Sequence, residues 1–467
     1  MTLNLPDPLA ALGIKQIDRR RFFGIAGLGA GAMALAACGG PSTAPPGAAA
    51  SGSGTAGAPA VDYTGVKPAA NITFWTSHPG GSQDVEAAII KAFNASGAGI
   101  TVKMVTAGAT YEDVATKFQT AQAAKKGLPD LVIFSDVWWF RYYMAKSIVA
   151  MDSVMKATGI DPTKYREGLL KDYQYKGAQW AIPYARSTPL FYYNKTHWKK
   201  AGLEDRAPKT WAEFAEWAPK LKAASTGAQH AYQLPALADY AGWAFQNNLW
   251  GWGGGWSKEG TFDITCDSKE SVAALQFLQD SVYKDKWAGV SSKSATDDLA
   301  AGAVSATVGS TGSLVGVQKA AKFDVGVGFL PGGPVASTKV CPTGGAGLGI
   351  PIGIPKENQL AAAMFLKFLT NAENTVKFAA ATGYMPVRTD ADASALEKAN
   401  PLTKIAIDQL ATTRVQDNAR VFIPGADQEM AKSCATFLTQ QAPVQDAMTK
   451  LKATLENLYK TQVVPNL

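Results

Sequence analysis

Three short segments carry groups suited to binding an anion. Arg420 lies beside an apolar run, Val421-Phe422-Ile423, and a guanidinium offers a planar pair of donors that matches phosphate oxygens. Gly344-Gly345 lets backbone N–H groups approach a ligand closely. Ser310-Thr-Gly-Ser313 is predicted to open a helix, whose first N–H groups favour anions. The alternatives are a surface arginine in a salt bridge and ordinary glycine-rich turns.

Aromatic residues are concentrated between residues 232 and 256. Tyr240 and Trp243 are three positions apart, so on a helix they share a face. Such a pair could stack on the face of a sugar or hold a cation by cation–π attraction. We expect Trp250, Trp252 and Trp256 to be packing residues instead.

The sequence shows no motif for catalysis or metal binding. It has no Gly-x-Ser-x-Gly turn and no His-Glu-x-x-His helix. The histidines, His78, His197 and His230, are far apart, and there is no Cys-x-x-Cys. We therefore expect no enzyme activity, no metal site and no cofactor, with a secreted hydrolase such as a phosphodiesterase as the alternative. Cys266, Cys341 and Cys434 allow at most one disulfide, whose pairing the sequence leaves open.

Strands and helices that alternate along the chain must position these residues. Strands are predicted at 72–76, 100–104 and 131–134, with helices over 84–94 and after Thr110, where Thr110-x-x-Asp113 can form a capping box. This order predicts an α/β fold with a parallel sheet covered by helices on both faces. Val444, Met448, Leu451, Leu455 and Leu458 predict a C-terminal helix that packs into the core.

Two segments, 182–189 and 309–313, interrupt this pattern with prolines or small polar residues. We interpret them as crossings between two lobes, which would form the walls of a ligand cleft at a hinge. The expected lobe 1 comprises residues 71–186 and 313–384, and lobe 2 comprises residues 187–312 and 385–467.

The N-terminal region carries the pattern of an export signal. Arg19-Arg20-Arg21 precedes Phe22-Phe23 and an uncharged stretch that ends in Leu35-Ala36-Ala37-Cys38. This arrangement resembles a twin-arginine signal, residues 1–37, followed by a lipid-modified cysteine, Cys38. Residues 38–70 are predicted to be a flexible tether, since Gly, Pro, Ala, Ser and Thr dominate its first part. The predicted location is the outer face of the cytoplasmic membrane.

The net charge of the 467-residue chain is +7. Without residues 1–37, which carry four basic and two acidic residues, the charge is +5 and is spread without basic runs, so nucleic-acid binding is not expected.

Four blocks make a family resemblance specific. Tyr184–Asn194, Ser310–Leu314, Pro342–Leu348 and Thr382–Arg388 are similar to family 1 extracellular solute-binding proteins of ABC transporters. Within that family they resemble the receptors for glycerol-3-phosphate and glycerophosphocholine, of the actinobacterial type. The resemblance implies a two-lobe periplasmic-binding-protein-like fold that closes on its ligand.

The resemblance also implies residue roles. Ser313 or its neighbours (Ser310 among them), Gly345, Tyr384 and Arg420 would hold a phosphate, and Tyr111, Asp136 and Ser187 would hold the glycerol end. The aromatic pair of the glycerol-3-phosphate receptors matches Tyr240 and Trp243, whereas the glycerophosphocholine receptor is aliphatic at the first position. The ligand's head group therefore stays open.

The expected function is that of a monomeric receptor that passes a glycerophosphodiester or glycerol-3-phosphate to the transmembrane subunits of an ABC permease. The alternative is a receptor for a disaccharide or oligosaccharide.

Overall fold

The computed structural model describes residues 60–225 and 227–467, without the side chains of residues 239 and 240. The predicted signal (1–37), Cys38 and the tether up to residue 59 lie outside the described residues. In chain order the strands are β1 Asn71–Thr76, β2 Thr101–Thr106, β3 Leu131–Ser135, β4 Gln174–Tyr175, β5 Ala178–Gln179, β6 Ile182–Ser187, β7 Pro189–Asn194, β8 His230–Leu234, β9 Ala288–Val290, β10 Val304–Ser310, β11 Val325–Gly328, β12 Cys341–Pro342, β13 Gly344–Gly349 and β14 Thr413–Arg414.

The helices are α1 Gln83–Asn94, α2 Tyr111–Ala124, α3 Trp139–Met144, α4 Met151–Thr158, α5 Glu167–Lys171, α6 Lys195–Lys200, α7 Trp211–Ala224, α8 Leu237–Ala244, α9 Gln246–Gly251, α10 Lys269–Tyr283, α11 Ala295–Ala300, α12 Leu314–Ala320, α13 Lys356–Leu369, α14 Ala372–Thr382, α15 Ser394–Ala399, α16 Pro401–Gln409, α17 Asn418–Val421, α18 Ala426–Thr439 and α19 Val444–Leu458. None of the described helices is long and apolar enough to cross a membrane.

The first sheet has the strand order β2-β1-β3-β13-β6. Its strands β1, β2 and β3 are parallel, as predicted, and β13 runs antiparallel to both β3 and β6. Helix α2 begins with the predicted capping box, in which the Thr110 and Asp113 side chains bond each other's backbone N–H. This reciprocal cap fixes where the helix starts and therefore where Tyr111, its first residue, lies.

The second sheet has the order β11-β7-β10-β8-β9. Strand β7 is antiparallel to β10 and β11, while β8 is parallel to β10 and β9. One predicted assignment is wrong here: β11 lies within residues 313–384, which were expected in lobe 1, yet it pairs with β7 of the second sheet. After the small polar segment 309–313 the chain thus stays with the second sheet for one more strand. It rejoins the first sheet only at β13.

The two sheets are joined through short crossings. Strand β6 of the first sheet continues into β7 of the second through one residue, Thr188, whose carbonyl accepts a hydrogen bond from the N–H of Thr311 at 3.0 Å. Strands β12 and β14 form a separate, two-stranded parallel sheet. The predicted α/β architecture is thus confirmed, and the chain passes from the first sheet to the second within residues 182–189.

Helix α19 buries the predicted apolar stripe, Val444, Met448, Leu451 and Leu455, while Leu458 is only half-buried.

The last residues of the predicted tether are bound to the folded domain. Tyr63 is 7% exposed, and its hydroxyl donates to Gln359 Oε1 at 2.7 Å. The N–H of Ala69 donates to the carbonyl of Glu357 at 2.9 Å. The prediction of a flexible tether therefore does not hold for residues 61–70, because Tyr63 belongs to the hydrophobic core and two hydrogen bonds join this segment to α13.

The three cysteines among the described residues, Cys266, Cys341 and Cys434, are free thiols and buried. Burial raises the pKa of the Cys266 thiol to about 12, so it is present as the unreactive protonated form. The disulfide that the sequence allowed does not form in this structure.

Candidate ligand-binding site

A cavity of about 150 Å³ gathers nine of the ten residues predicted to bind the ligand. They are Tyr111, Asp136, Ser187, Trp243, Ser310, Ser313, Gly345, Tyr384 and Arg420. The tenth, Tyr240, lies on helix α8 with Trp243, but its side chain is outside the described residues. Residues from the whole length of the chain therefore converge on one cavity, although their roles toward a ligand stay a prediction.

The cavity lies where strands of both sheets end. Asp136 directly follows β3, Ser187 ends β6, and Ser310 ends β10. Gly345 is at the start of β13, but that strand is antiparallel to its neighbours, and Gly344 is paired with Ser187. Asp136, Ser187 and Gly345 thus lie at one end of the first sheet, and Ser310 lies at the carboxyl end of a strand of the second. Open α/β sheets bind ligands at the carboxyl ends of their strands.

Arg420 is buried between carboxylates rather than exposed at the surface. Its guanidinium is 5% exposed, its Nε donates to Asp427 Oδ1 at 2.8 Å and its Nη1 to Asp136 Oδ2 at 3.4 Å. Nη1 also bonds Gln416 Oε1. Burial opposes the charged form, but the carboxylates of Asp427 and Asp136 outweigh it and raise the pKa of Arg420. The salt bridge considered as the alternative therefore exists, but inside the cavity.

Gln416 links the guanidinium of Arg420 to the carboxylate of Asp136, which lines the cavity. Its Nε2 donates to Asp136 Oδ2 at 2.5 Å, and the N–H of Asp136 donates to the carbonyl of Gly345 at 3.0 Å. Asp136 is 4% exposed. Its backbone is thus fixed by β13 and its carboxylate by Gln416 and Arg420, so a ligand meets a preorganised acceptor.

Aromatic side chains line two sides of the cavity, and hydrogen bonds of their polar atoms fix their positions. The hydroxyls of Tyr111 and Tyr384 are 3.2 Å apart and share a hydrogen bond between helix α2 and the segment after α14. On the other wall the Trp243 Nε1 donates to the carbonyl of Thr343 at 2.8 Å. Glycines make room for both rings, since a Cβ on Gly312 would lie 2.6 Å from Tyr384 Cζ and one on Gly344 would lie 2.6 Å from Trp243 Nε1.

A buried ion pair fixes Thr343, the residue whose carbonyl binds Trp243. Arg186, in the crossing strand β6, is 0% exposed; it donates to Tyr173 OH at 2.7 Å and pairs with Asp172. Asp172 in turn accepts a hydrogen bond from Thr343 Oγ1 at 2.7 Å. Thr343 is thereby fixed on both sides, and its carbonyl holds Trp243 in place.

Further residues line the cavity that sequence reasoning did not single out. They are Gly80, Glu112, Ser135, Val137, Gly312 and Asp427. Two of them could have been predicted from the sequence, because they are neighbours of predicted site residues: Glu112 follows Tyr111, and Ser135 precedes Asp136 at the end of β3. The Oγ of Ser135 is buried and has no hydrogen-bond partner among the described residues, which is costly unless a ligand or water supplies one. No pattern in the sequence pointed to Asp427, which contacts Arg420 from the first turn of α18, after the turn at Gly425.

A family model described as bacterial extracellular solute-binding protein matches residues 88–405. The chain belongs to this family. Among curated relatives, the sn-glycerol-3-phosphate-binding periplasmic protein UgpB of Salmonella typhimurium (strain LT2) is 35% identical over 222 residues, 45% of this chain and 49% of the relative. The protein of the same name from Escherichia coli (strain K12) is 34% identical over 218 residues, 44% of this chain and 48% of the relative. The match spans about half the length of these relatives.

Solved structures match over most of the chain. The crystal structure of UgpB from Mycobacterium tuberculosis in complex with glycerophosphocholine has a TM-score of 0.81 and 38% identity, covering 85% of this chain and 100% of that one. Maltose-bound MalE3 of T. maritima, at 23% identity and a TM-score of 0.74, covers 83% of this chain and 99% of that one. The second similarity shows the fold alone, which is that of the two-lobe solute-binding proteins.

Proposed function

We propose that this solute-binding protein is the receptor of an ABC importer for a glycerophosphodiester or glycerol-3-phosphate. The lobes close on the ligand about the β6–β7 crossing, and the closed form delivers the ligand to the transmembrane permease subunits. The protein acts as a monomer and performs no catalysis. The twin-arginine signal and acylated Cys38 place it on the outer face of the cytoplasmic membrane.

The observation that carries this proposal is the buried Arg420 in a cavity rich in hydroxyl groups. Arg420 lines the cavity together with Ser187, Ser310, Ser313 and Tyr384. Hydroxyl groups and a guanidinium are donors that can satisfy phosphate oxygens without a metal. The similarity to a structure that contains glycerophosphocholine supports the same ligand chemistry.

The remaining contacts suit the glycerol end of such a ligand. An ionised carboxylate accepts hydrogen bonds only, so Asp136 suits vicinal hydroxyls, and the Trp243 ring offers a flat apolar face to the carbon chain. Several structural neighbours are described with sugars, for example maltose. The sequence identity of this neighbour is 23%, which is too low to argue a ligand for this chain.

The test is calorimetry of purified wild-type protein and of the Arg420→Ala variant with glycerophosphocholine, glycerol-3-phosphate and maltose. Wild-type protein should bind a phosphate ester, and the variant should bind it at least tenfold more weakly, because a hydrogen bond to a charged group contributes roughly 1.5–3 kcal/mol. Arg388→Ala is the matched control, since Arg388 pairs with Asp390 and does not line the cavity.

Two results would contradict the proposal. One is the absence of binding by every phosphate ester while maltose binds, which would favour the sugar receptor. The other is release of choline or glycerol phosphate during prolonged incubation with the diester, which would favour a hydrolase.

A further inference from the structure

Arg420 and Asp136 carry opposite charges in the ligand cavity, yet they do not form a close ion pair. Arg420 Nη1 and Asp136 Oδ2 are 3.4 Å apart. A charge-assisted hydrogen bond between such groups is usually about 2.7–2.9 Å long, and an arginine and a carboxylate often form two of them in parallel. The two side chains therefore stop short of the arrangement that their charges favour.

The side chain of Gln416 lies between these two groups. Its Nε2 donates to Asp136 Oδ2 at 2.5 Å, and its Oε1 accepts a hydrogen bond from Arg420 Nη1. Since a guanidinium only donates hydrogen bonds and an ionised carboxylate only accepts them, the amide can have only this orientation. One neutral amide thus satisfies both of the charged atoms that face each other.

Gln416 is itself held in place by a second buried glutamine. It is 4% exposed and belongs to the segment between β14 and α17. Its Oε1 also accepts a hydrogen bond from Nε2 of Gln246, the first residue of α9, at 3.2 Å. Gln246 Oε1 in turn accepts a hydrogen bond from the N–H of Asp417 at 3.0 Å. The position of the Gln416 amide is therefore fixed from α9 as well as by the two charged groups.

This arrangement leaves one donor and one acceptor for a ligand. Among the described residues, the hydrogen bonds of Arg420 use Nε and Nη1, and those of the Asp136 carboxylate use Oδ2. Arg420 Nη2 and Asp136 Oδ1 remain, and neither is among the fully enclosed side-chain atoms that lack a partner. Both atoms are therefore accessible in the cavity that the two residues line.

A direct ion pair between Arg420 and Asp136 would occupy these same two atoms. In its two-bond form such a pair joins two guanidinium nitrogens to both carboxylate oxygens. It would take Arg420 Nη2 from a phosphate oxygen and Asp136 Oδ1 from a hydroxyl group. By bonding Nη1 and Oδ2 separately, the Gln416 amide keeps the two residues from consuming each other's ligand-binding atoms.

We propose that Gln416 is a positioning residue, which holds Arg420 and Asp136 apart so that Nη2 is free for the phosphate and Oδ1 for a hydroxyl group of the ligand. The inference rests on the proposed function, because it requires a ligand that carries both groups. Gln416 is outside the described lining of the cavity, so it acts only through the two residues that it separates.

The test is calorimetry with glycerophosphocholine and glycerol-3-phosphate on four proteins: wild type, Gln416→Met, Asp136→Asn and the double variant. Methionine has the length of glutamine but no amide, so Arg420 can then pair directly with Asp136. Gln416→Met should therefore bind the phosphate ester about tenfold more weakly than wild type. Asp136→Asn should weaken binding by itself, but it removes the carboxylate that captures the arginine. In that background Gln416→Met should cost less than about threefold.

Two further variants complete the experiment. Gln279→Met is the matched control, since Gln279 is a buried glutamine of α10 that donates to the carbonyls of Phe437 and Ala442, at 2.9 and 2.8 Å. It should lower the melting temperature and leave the affinities unchanged. Gln416→Glu keeps the acceptor for Arg420 but places a negative charge beside Asp136. It should weaken binding at least as much as Gln416→Met, and it decides the question if the methionine variant does not fold.

Wild-type affinity in Gln416→Met or in Gln416→Glu overturns the inference. An equal loss from Gln416→Met with and without the Asp136 carboxylate also overturns it, because a merely structural role of Gln416 would cost the same in both backgrounds. In these cases the proposed function stands, since the wild-type protein still binds a phosphate ester. If the wild-type protein binds neither ester, the proposed function fails and this inference fails with it.

Discussion

Replacing Gly344 with alanine tests whether the position of Trp243 controls binding. A Cβ at residue 344 would lie 2.6 Å from Trp243 Nε1, 2.7 Å from Cε2 and 2.8 Å from Cζ2. Non-bonded carbon atoms prefer separations of about 3.5–4.0 Å, so the indole ring must move by about 1 Å. The ring cannot move alone, because Trp243 is 4% exposed and its Nε1 is bonded to the carbonyl of Thr343, the preceding residue.

The expected loss of stability follows from the steric overlap with the indole ring and from the hydrogen bond of Trp243 Nε1. Overpacking a buried position costs roughly 1–3 kcal/mol, and a lost hydrogen bond costs roughly 0.5–1.5 kcal/mol. We expect the free energy of unfolding to fall by about 2 kcal/mol. Because Trp243 lines the ligand cavity, we expect its displacement to raise the dissociation constant for glycerophosphocholine about tenfold, which corresponds to about 1.4 kcal/mol.

Urea denaturation measures the free energy of unfolding, and calorimetry measures the dissociation constant for glycerophosphocholine. Gly168→Ala is the matched control, since it makes the same substitution on helix α5, where an added Cβ meets no atom within 4 Å; it should be neutral or slightly stabilising. Wild-type affinity in Gly344→Ala would refute the reasoning. So would an equal loss of affinity in the control.

Two further predictions concern other parts of the molecule. Burial raises the pKa of Asp417 to about 6, so between about pH 4 and 6 the folded state retains a proton that the unfolded chain has lost. The free energy of unfolding should therefore fall as the pH rises through this window, by on the order of 2–3 kcal/mol; parallel urea-denaturation profiles of wild-type protein and Asp417→Asn would contradict this. Tyr384→Phe removes the hydroxyl shared with Tyr111 and should weaken glycerophosphocholine binding about five- to tenfold by calorimetry. Tyr283→Phe, which loses a hydrogen bond to the carbonyl of Leu438 away from the cavity, should bind normally.

Local patterns in the sequence were sufficient to predict the parts of the fold that depend on neighbouring residues. Thr110 and Asp113 predict a capping box because the reciprocal bonds join residues three apart, and the structure contains it. The apolar spacing of Val444, Met448 and Leu451 predicts one buried helix face in the same way. Strand β11 could not be assigned from such patterns, because its position depends on pairing with β7, more than a hundred residues earlier.

The residues of the site were easier to predict than their electrostatic balance. Arg420 stands out by its residue type and by the apolar run beside it, but the sequence does not show how many carboxylates surround it. One partner, Asp136, is 284 positions away, and the other, Asp427, follows a turn in which Gly425 adopts a left-handed conformation with φ of +81°. An arginine alone in a cavity would favour the most negative phosphate ester. The same arginine, paired with Asp136 and Asp427, offers a ligand anion less than its full charge, so the strength of this interaction depends on contacts that only the folded chain creates.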